Sequence, residues 1–388
     1  MLQARVHKLI YGPHRAGRNY KPLNRIELSR SAMLDNVHLL QLQHPDFSIM
    51  PVLKANAYGH GLEEAAEILN TANCDLLAVD GYFEAAKIRY ITNHRILVLG
   101  YIKPENVPLV DTKRCSFVVQ DIAGLSAFGH LRRPVRIHLE LNTGMNRLGL
   151  RPEEVTKYLL AMKRYPNLEL EGIMTHLADA DNTVDNSFTK HQIAVFDRQV
   201  ENILSQGLKP KFLHIAQTAG SVKVRSRYAN SIRLGIGLYG ISPLAPKDRY
   251  FGKLKALQPV LELKSTIIKT ISLEPGDKVS YNGIFTADKT MRIGVLPLGY
   301  YEGIPRELSN AGCVTSGNEV LPIAGRICMN HTMINLMDSK LKTGDEVTVF
   351  SADPAKPNSI ARLAVNYDLF SYSLLTGLSS SIRRVVIG

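Results

Sequence analysis

The sequence predicts an α/β fold class: an N-terminal (β/α)8 TIM-type barrel followed by a mainly β C-terminal domain. Three observations predict it. The chain has 388 residues, more than one ordinary core accommodates. Apolar strand-like runs alternate with helical patterns over residues 24–250, and repeated alternation argues for a closed parallel sheet. Past residue 250 the helical patterns give way to short strands punctuated by turn signals. The expected division is therefore an extension over 1–23, a barrel over 24–250 and a β-rich domain over 251–388.

Taken in order, the barrel strand candidates are Ser48–Leu53, Leu76–Val79, Ile96–Leu99, Ser116–Val119, Val135–Leu141, Leu168–Thr175 and Phe212–Ile215. Gly61–Leu69 and Glu84–Tyr90 carry apolar positions three and four apart, the spacing of an amphipathic helix. In the second domain the candidates are Leu261–Ile271, Lys278–Tyr281, Met291–Leu296, Glu319–Ile323, Thr332–Leu336 and Glu346–Phe350. Pro275–Asp277 and Thr343–Asp345 read as turns between them.

Composition narrows the function. Hydrophobic residues make up 45% and charged residues 21%, as in a folded globular chain. The balance of 47 Lys+Arg against 35 Asp+Glu gives +12, which draws anionic ligands. No dense basic stripe is interleaved with aromatics, so no nucleic-acid partner is expected. The four cysteines, Cys74, Cys115, Cys313 and Cys328, show no metal-like spacing; no metal is expected, and they read as free thiols in a reducing compartment. No apolar run reaches the length of a membrane span, and the first twenty residues lack an apolar signal core, so no membrane partner is expected. The default is a cytoplasmic enzyme.

Barrel enzymes place their reactive residues at the C-terminal ends of strands. Lys54, Arg147, His176 and Thr218 all follow strand candidates. Lys54 lies in Val52-Leu53-Lys54-Ala55-Asn56-Ala57-Tyr58-Gly59-His60-Gly61, where a strand ends in a lysine and a small, glycine-bearing loop leads into a helix. A partly desolvated lysine on a barrel rim can lose its proton and form a Schiff base with a carbonyl. Alone, Lys54 would read as a surface lysine before a turn, His176 as a core histidine, and Gly235 and Gly237 as parts of an ordinary loop.

The Lys54 segment, however, resembles the cofactor-lysine motif of the alanine racemase family, enzymes that use pyridoxal 5'-phosphate. The resemblance runs from about residue 24 to the end, with the motifs in order: Asn142-Thr143-Gly144-Met145-Asn146-Arg147-Leu148-Gly149, Thr175-His176, His214-Ile215-Ala216-Gln217-Thr218-Ala219, Arg233-Leu234-Gly235-Ile236-Gly237-Leu238-Tyr239-Gly240, Val279-Ser280-Tyr281, Gly299-Tyr300 with Arg306, Gly325-Arg326-Ile327-Cys328-Met329 and Asn366-Tyr367. It implies that Lys54 holds the cofactor's aldehyde and is one catalytic base, with Tyr281 as the second and His176 as relay. Arg233 would face the pyridine nitrogen and keep it unprotonated. Tyr58, Thr218, Tyr367 and the amides of Gly235 and Ile236 would bind the phosphate. Arg147 would hold the cofactor's phenolic oxygen and, with the Met329 amide, the substrate carboxylate; Tyr300, Arg306 and Arg326 would line the entry. Tyr281 and Met329 would come from a second copy, which implies a homodimer with shared sites.

Several positions depart from the family pattern. Glu140 stands where many members carry a carbamylated lysine; Asn142 and Asn330 replace aspartates; Tyr301-Glu302 replaces Ala-Asp; and Thr218 replaces serine. Glu140 is expected to orient Arg147, directly or through one water. The reading is a racemase interconverting L- and D-alanine by two bases, with a racemase for serine or another amino acid as the alternative. A decarboxylase on the related scaffold would pair the pyridine nitrogen with a carboxylate, and Arg233 speaks against it. A non-catalytic cofactor-binding protein is usually a barrel alone, and the β-rich domain with Tyr281 speaks against that.

Overall fold

Parallel barrel strands are covered on both faces, so they read as short continuous apolar runs rather than alternating ones. The structure, a computed structural model, bears this out over the residues it describes, 21–388. Strand β1, Asn24–Ser29, opens the described chain. Eight strands then follow with helices between them: β2 Ser48–Pro51, β3 Leu76–Val79, β4 Arg95–Val98, β5 Cys115–Val119, β6 Val135–Glu140, β7 Leu168–Met174, β8 Phe212–Ala216 and β9 Ser231–Leu234. They form one sheet in the order β2-β9-β8-β7-β6-β5-β4-β3, every pairing parallel. A parallel bridge from Val52 to Ala78, with the Leu53 amide donating to the Ala78 carbonyl at 2.7 Å, joins the two outer strands and completes the ring.

Local chemistry sets the helices. Asp121 caps Ile122–Gly129 by accepting from the Gly124 amide at 2.6 Å. Pro152 occupies the first position of Pro152–Met162, where a missing N–H costs nothing. The helix Ser187–Ser205 buries Thr189, Gln192, Ile193, Phe196, Val200 and Ile203, a helical stripe with one amide in it.

Two compact units result. One comprises residues 33–57 and 65–258; the other comprises 21–32, 58–64 and 259–388. The expected 24–250 and 251–388 division therefore shifts. Strand β1 pairs antiparallel with Leu261–Thr266 and parallel with Arg383–Ile387, so it belongs to the β-rich unit. Its alternating NRIELS pattern fits an open sheet with one covered face, not a barrel strand. Residues 251–258 stay with the barrel unit. The extension over 1–23 lies almost wholly outside the described residues.

The β-rich unit has a six-stranded sheet, ordered Glu319–Pro322, Cys313–Ser316, Glu346–Phe350, Leu261–Thr266, β1 and Arg383–Ile387. Beside it are a three-stranded sheet, Lys269–Leu273 with Met291–Leu296 and Thr332–Asn335, and a ribbon of Lys278–Val279 with Phe285–Thr286. Leu273, Val279, Ala287, Ile293, Ala324 and Met333 form a core under the ribbon. The single strand expected over Leu261–Ile271 is two, broken between Thr266 and Lys269.

Close approach of backbone makes Gly59 irreplaceable. Gly59 has φ +82, and a Cβ there would meet the Leu375 carbonyl oxygen at 1.9 Å. Gly207 has φ +84 with open space around it. Gly207→Ala should lose only the left-handed backbone penalty, about 1–2 kcal/mol. Gly59→Ala should lose distinctly more in denaturant unfolding; equal losses would show that the Leu375 contact carries no weight.

Candidate active site

Six of the residues expected at the site come to the C-terminal ends of the barrel strands. Lys54 follows β2, Arg147 follows β6, His176 follows β7, Thr218 follows β8, and Gly235 and Ile236 follow β9. Arg233 is inside β9 itself, in Ser231–Leu234, a strand the sequence reading does not include among its candidates. Four residues with a charge in the middle do not look like a buried strand, yet all four are buried.

Arg233 has 3% of its surface exposed. Its Nη1 donates to His214 Nδ1 at 2.9 Å and to the His214 carbonyl at 2.8 Å. Its Nη2 donates to the Thr175 carbonyl at 2.7 Å and lies 3.2 Å from both His176 Nδ1 and the Ile215 carbonyl. That leaves Nε–H without an acceptor among the described residues. Burial pushes the guanidinium down to about 10, with Glu140 opposing the fall, so it stays protonated at neutral pH. An unprotonated pyridine nitrogen would fit the remaining donor.

His176 pays for this neighbourhood in basicity. Burial first, then the charges of Arg233, Arg147 and Lys54, push it from 6.5 down to about 3. The ring is neutral, its Nδ1 faces a donor, and its proton therefore sits on Nε2. The backbone around it is pinned by Gln192, fully buried on the helix Ser187–Ser205. Gln192 donates to the His176 carbonyl at 3.0 Å and to Thr143 Oγ1 at 3.2 Å, and accepts from the Ala178 amide at 2.9 Å.

Lys54 opens a segment the sequence reading takes as a plain loop into a helix. Ala55, Asn56, Ala57 and Tyr58 all have φ between 51° and 54°, one turn of left-handed helix. Left-handed φ costs a non-glycine residue about 1–2 kcal/mol. Alanine's small Cβ and asparagine's tolerance of this region reduce the clash but leave no recognisable sequence signal. Glu84 holds the turn: one carboxylate oxygen accepts from the Ala55 amide at 2.8 Å and the other from the Asp80 amide at 2.8 Å. Lys54 Nζ has no hydrogen-bond partner among the described residues.

The segments after β8 and β9 meet in a cradle of backbone amides. Thr218 Oγ1 accepts from the Gly237 amide at 3.1 Å, and a Cβ on Gly237 would meet Thr218 Cγ2 at 2.6 Å. Gly235 and Ile236 begin the 3-10 turn Ile236–Tyr239, where amides have no intrahelical acceptor and suit an anion. The cradle and the arginine at separate strand ends match a phosphate and a ring nitrogen, so these residues fit pyridoxal phosphate.

Arg147 is exposed on a loop closed by Asn142, whose Oδ1 accepts from the Gly144 and Asn146 amides, each at 3.1 Å. The asparagine thus does the turn work an aspartate would do. Of the two routes expected from Glu140 to Arg147, the direct hydrogen bond is absent among the described residues. Glu140 Oε2 accepts from Gln120 Nε2 at 3.0 Å, and Arg147 acts on it only through charge, less than Arg233 does. Burial raises the Glu140 carboxyl, and Arg233, Arg147 and Gln120 oppose the rise. The shorter stem explains the difference: the carboxylate ends inside the barrel, beside Gln120.

In the β-rich unit, Tyr281 stands on a strained turn, with Ser280 at φ 64 and Asn282 at φ 63. Ser280 Oγ anchors it by donating to the Arg326 carbonyl at 2.6 Å. Tyr281 is 66% exposed and Met329 54%, with Tyr300 and Tyr301 exposed too and Arg306 at the surface. The Tyr300 and Tyr301 amides donate to the Cys328 and Met329 carbonyls, tying the two loops together. Two departures from the family pattern compensate each other: Glu302 accepts from Asn330 Nδ2 at 2.8 Å and from the Gly299 amide at 2.7 Å. A second carboxylate at 330 would repel it.

Tyr367 is placed differently from the expectation. Its hydroxyl donates to the Ala311 carbonyl at 2.6 Å. The tyrosine beside Tyr58 is Tyr372, with ring centroids 6.0 Å apart. Asn366-Tyr367 drew attention as a dipeptide; the helix Ser371–Thr376, which carries Tyr372, offers no such signal.

The family model for the alanine racemase N-terminal domain matches residues 28–243, and that for the C-terminal domain matches residues 260–386. An alanine racemase of Helicobacter pylori strain G27 is 31% identical over 376 residues, covering 93% of this chain and 98% of the relative. The alanine racemase of Bacillus anthracis, solved with bound L-Ala-P, superposes with a TM-score of 0.85 at 28% identity, covering 95% of this chain and 96% of the other. The fold is also that of the Bartonella henselae alanine racemase solved with covalently bound pyridoxal phosphate, at a TM-score of 0.81 and 23% identity, covering 95% and 100%.

The depressed His176 has a consequence for the apoprotein. Below about 6.5 the unfolded chain protonates this histidine, while the folded chain does so only near 3. Folding therefore loses stability as pH falls through that window. Denaturant unfolding at about pH 7 and about pH 5 should show a smaller loss for His176→Gln than for the wild type. Equal losses would remove His176 from the account.

Proposed function

The chain belongs to the alanine racemase family, and on that premise we propose that Lys54 and Tyr281 are the two bases of its reaction. The activity is that of a pyridoxal-phosphate-dependent isomerase interconverting L- and D-alanine. The observation that carries the reading is Arg233, a buried guanidinium with four of its N–H groups committed to the protein and one left over.

When bound, the pyridoxal ring draws electron density from the substrate's α-carbon and makes its hydrogen acidic. Racemisation then needs one base on each face of the cofactor plane. Lys54 Nζ would hold or remove one of the two protons and the phenol of Tyr281 from a second copy the other. His176, neutral with its proton on Nε2, can pass a hydrogen-bond polarisation from Arg233 toward the phenol. Arg233 would keep the nitrogen of a bound ring unprotonated, since a second positive charge beside it is unfavourable. This restrains side reactions that need a stronger electron sink. Arg147 would hold the substrate carboxylate with the Met329 amide of a second copy. Thr218, Gly235 and Ile236 would take the phosphate; Tyr58 is the further phosphate ligand of this reading, and Tyr372, not Tyr367, stands beside it.

Tyr281, Tyr300, Tyr301, Ile284 and Met329 form an exposed apolar group on the β-rich unit, which supports a homodimer in which a partner covers them. The reducing-compartment reading stands on four free cysteines, Cys74, Cys115, Cys313 and Cys328, and supports a cytoplasmic location. No helix among the described residues is long and apolar enough to cross a membrane.

Purified protein should racemise alanine in a coupled or polarimetric assay across a panel of amino acids, and borohydride should fix the cofactor to Lys54. An adduct mapped to another lysine defeats that assignment. Lys54→Ala and Tyr281→Ala should each lose at least about a hundredfold in activity. Refolded together, random pairing makes half the dimers mixed, each with one intact site, so about a quarter of sites should recover. No recovery despite proven mixing would exclude shared sites.

A further inference from the structure

A chain of buried side chains runs inward from Arg233, and the reaction as described does not use it. His214 and His138 have no exposed surface, and Glu171 has 4%. His214 Nδ1 meets Arg233 Nη1 at 2.9 Å, and His214 Nε2 lies 2.8 Å from His138 Nδ1. His138 Nε2 lies 3.2 Å from Glu171 Oε2. Glu171 Oε1 pairs with Arg95 Nη2 at 2.6 Å, at the first residue of β4, and Ser116 Oγ donates to Glu171 Oε2.

The chemistry of the two ends orders everything between them. A guanidinium only donates, so His214 Nδ1 must present its lone pair. The His214 proton then sits on Nε2 and is donated to His138 Nδ1. The His138 proton in turn sits on Nε2 and is donated to the Glu171 carboxylate. With neutral rings, only this arrangement satisfies all three contacts. Burial lowers both histidines, which keeps them neutral; at His214 the charge of Arg233 adds to the fall, while at His138 Glu171 opposes it. Burial alone would raise Glu171, but His138, Arg95 and Ser116 bring it down to about 2, so it remains an anion.

The packing is built around this geometry. His138 lies parallel to Phe212 at 5.9 Å between centroids and edge-on to His214 at 5.0 Å. Gly172 faces it, and a Cβ there would meet His138 Nδ1 at 2.3 Å.

We infer that His214, His138 and Glu171 are positioning residues for Arg233, a one-way hydrogen-bonded chain that fixes its guanidinium while keeping its terminal carboxylate two imidazoles away. A carboxylate directly against Arg233 would orient it equally well but would neutralise the charge it presents at Nε–H. The interposed rings supply orientation without that neutralisation. The role assigned to Arg233's charge rests on the racemase reading; the order of protons along the chain does not.

The test has two parts. In apoprotein labelled with nitrogen-15 histidine, the His214 and His138 signals, assigned by loss in His214→Asn and His138→Phe, should both report neutral rings protonated at Nε2. An Nδ1–H ring or an imidazolium at either position overturns the chain. In the holoenzyme, His138→Phe keeps the stacked ring but neither hydrogen bond, and should lower kcat about tenfold or more with KM little changed. Glu171→Gln, which retains an acceptor for His138, should lose less than Glu171→Leu. Unaltered kcat in His138→Phe overturns the positioning role even if the tautomers are as stated. A wild-type chain inactive on every amino acid would defeat the racemase reading, and the tautomers would still decide the chain.

Discussion

A guanidinium inside an eight-stranded barrel has to be solvated by the barrel itself. Removing a full charge from water costs several kcal/mol even after relaxation. Arg233 meets that cost with the carbonyls of Thr175, His214 and Ile215 and two imidazole nitrogens, without a carboxylate in hydrogen-bond contact. Its charge therefore radiates into the surroundings. Burial first, and then this charge, lower His176 and His214, and Glu140 is drawn back toward ionisation against its burial. The ends of β7 and β8 must lie where their carbonyls point at Arg233, and the Thr143, Thr175 and Gln192 contacts fix one of those ends.

Strain recurs next to the reactive side chains. Lys54 precedes four residues at positive φ, Arg147 follows Asn146 at φ 55, and Tyr281 lies between Ser280 and Asn282. A sharp, sterically disfavoured turn persists only where neighbours over-determine it. Here those neighbours are Glu84 under the Lys54 turn, Asn142 under the Arg147 loop and the Ser280 contact to Arg326. The result is a short, stiff connection between strand and side chain rather than a long flexible loop.

The departures from the family pattern resolve into local chemistry. Asn142 keeps the acceptor that the loop needs, and Thr218 keeps the hydroxyl that meets Gly237. Asn330 and Glu302 change together and become one hydrogen-bonded pair. Glu140 is the exception, because its anion turns to Gln120 and leaves Arg147 at the surface without a hydrogen-bonded partner among the described residues.

Much of the fold is legible in the sequence because many strands are locally encoded: in the barrel Leu76–Val79 is apolar throughout, and in the β-rich unit Met291–Leu296 and Glu346–Phe350 have clear ends. The same is true of Lys54, His176 and Arg147, whose motifs are contiguous. Other features have no local signature. Strand β9 carries a charge that only the surrounding carbonyls and imidazoles make tolerable, and β1 finds its partners more than two hundred residues away. Tyr372 reaches Tyr58, and His138 reaches His214, through pairings far apart in sequence. The sequence by itself determined most of the barrel strands and the contiguous motifs that carry Lys54, Arg147 and His176, since periodicity and short motifs act over a few residues. Only the tertiary structure decided which tyrosine stands beside Tyr58, where the Glu140 anion goes and how the protons run from Arg233 to Glu171, because each depends on side chains that packing, not sequence proximity, brings into contact.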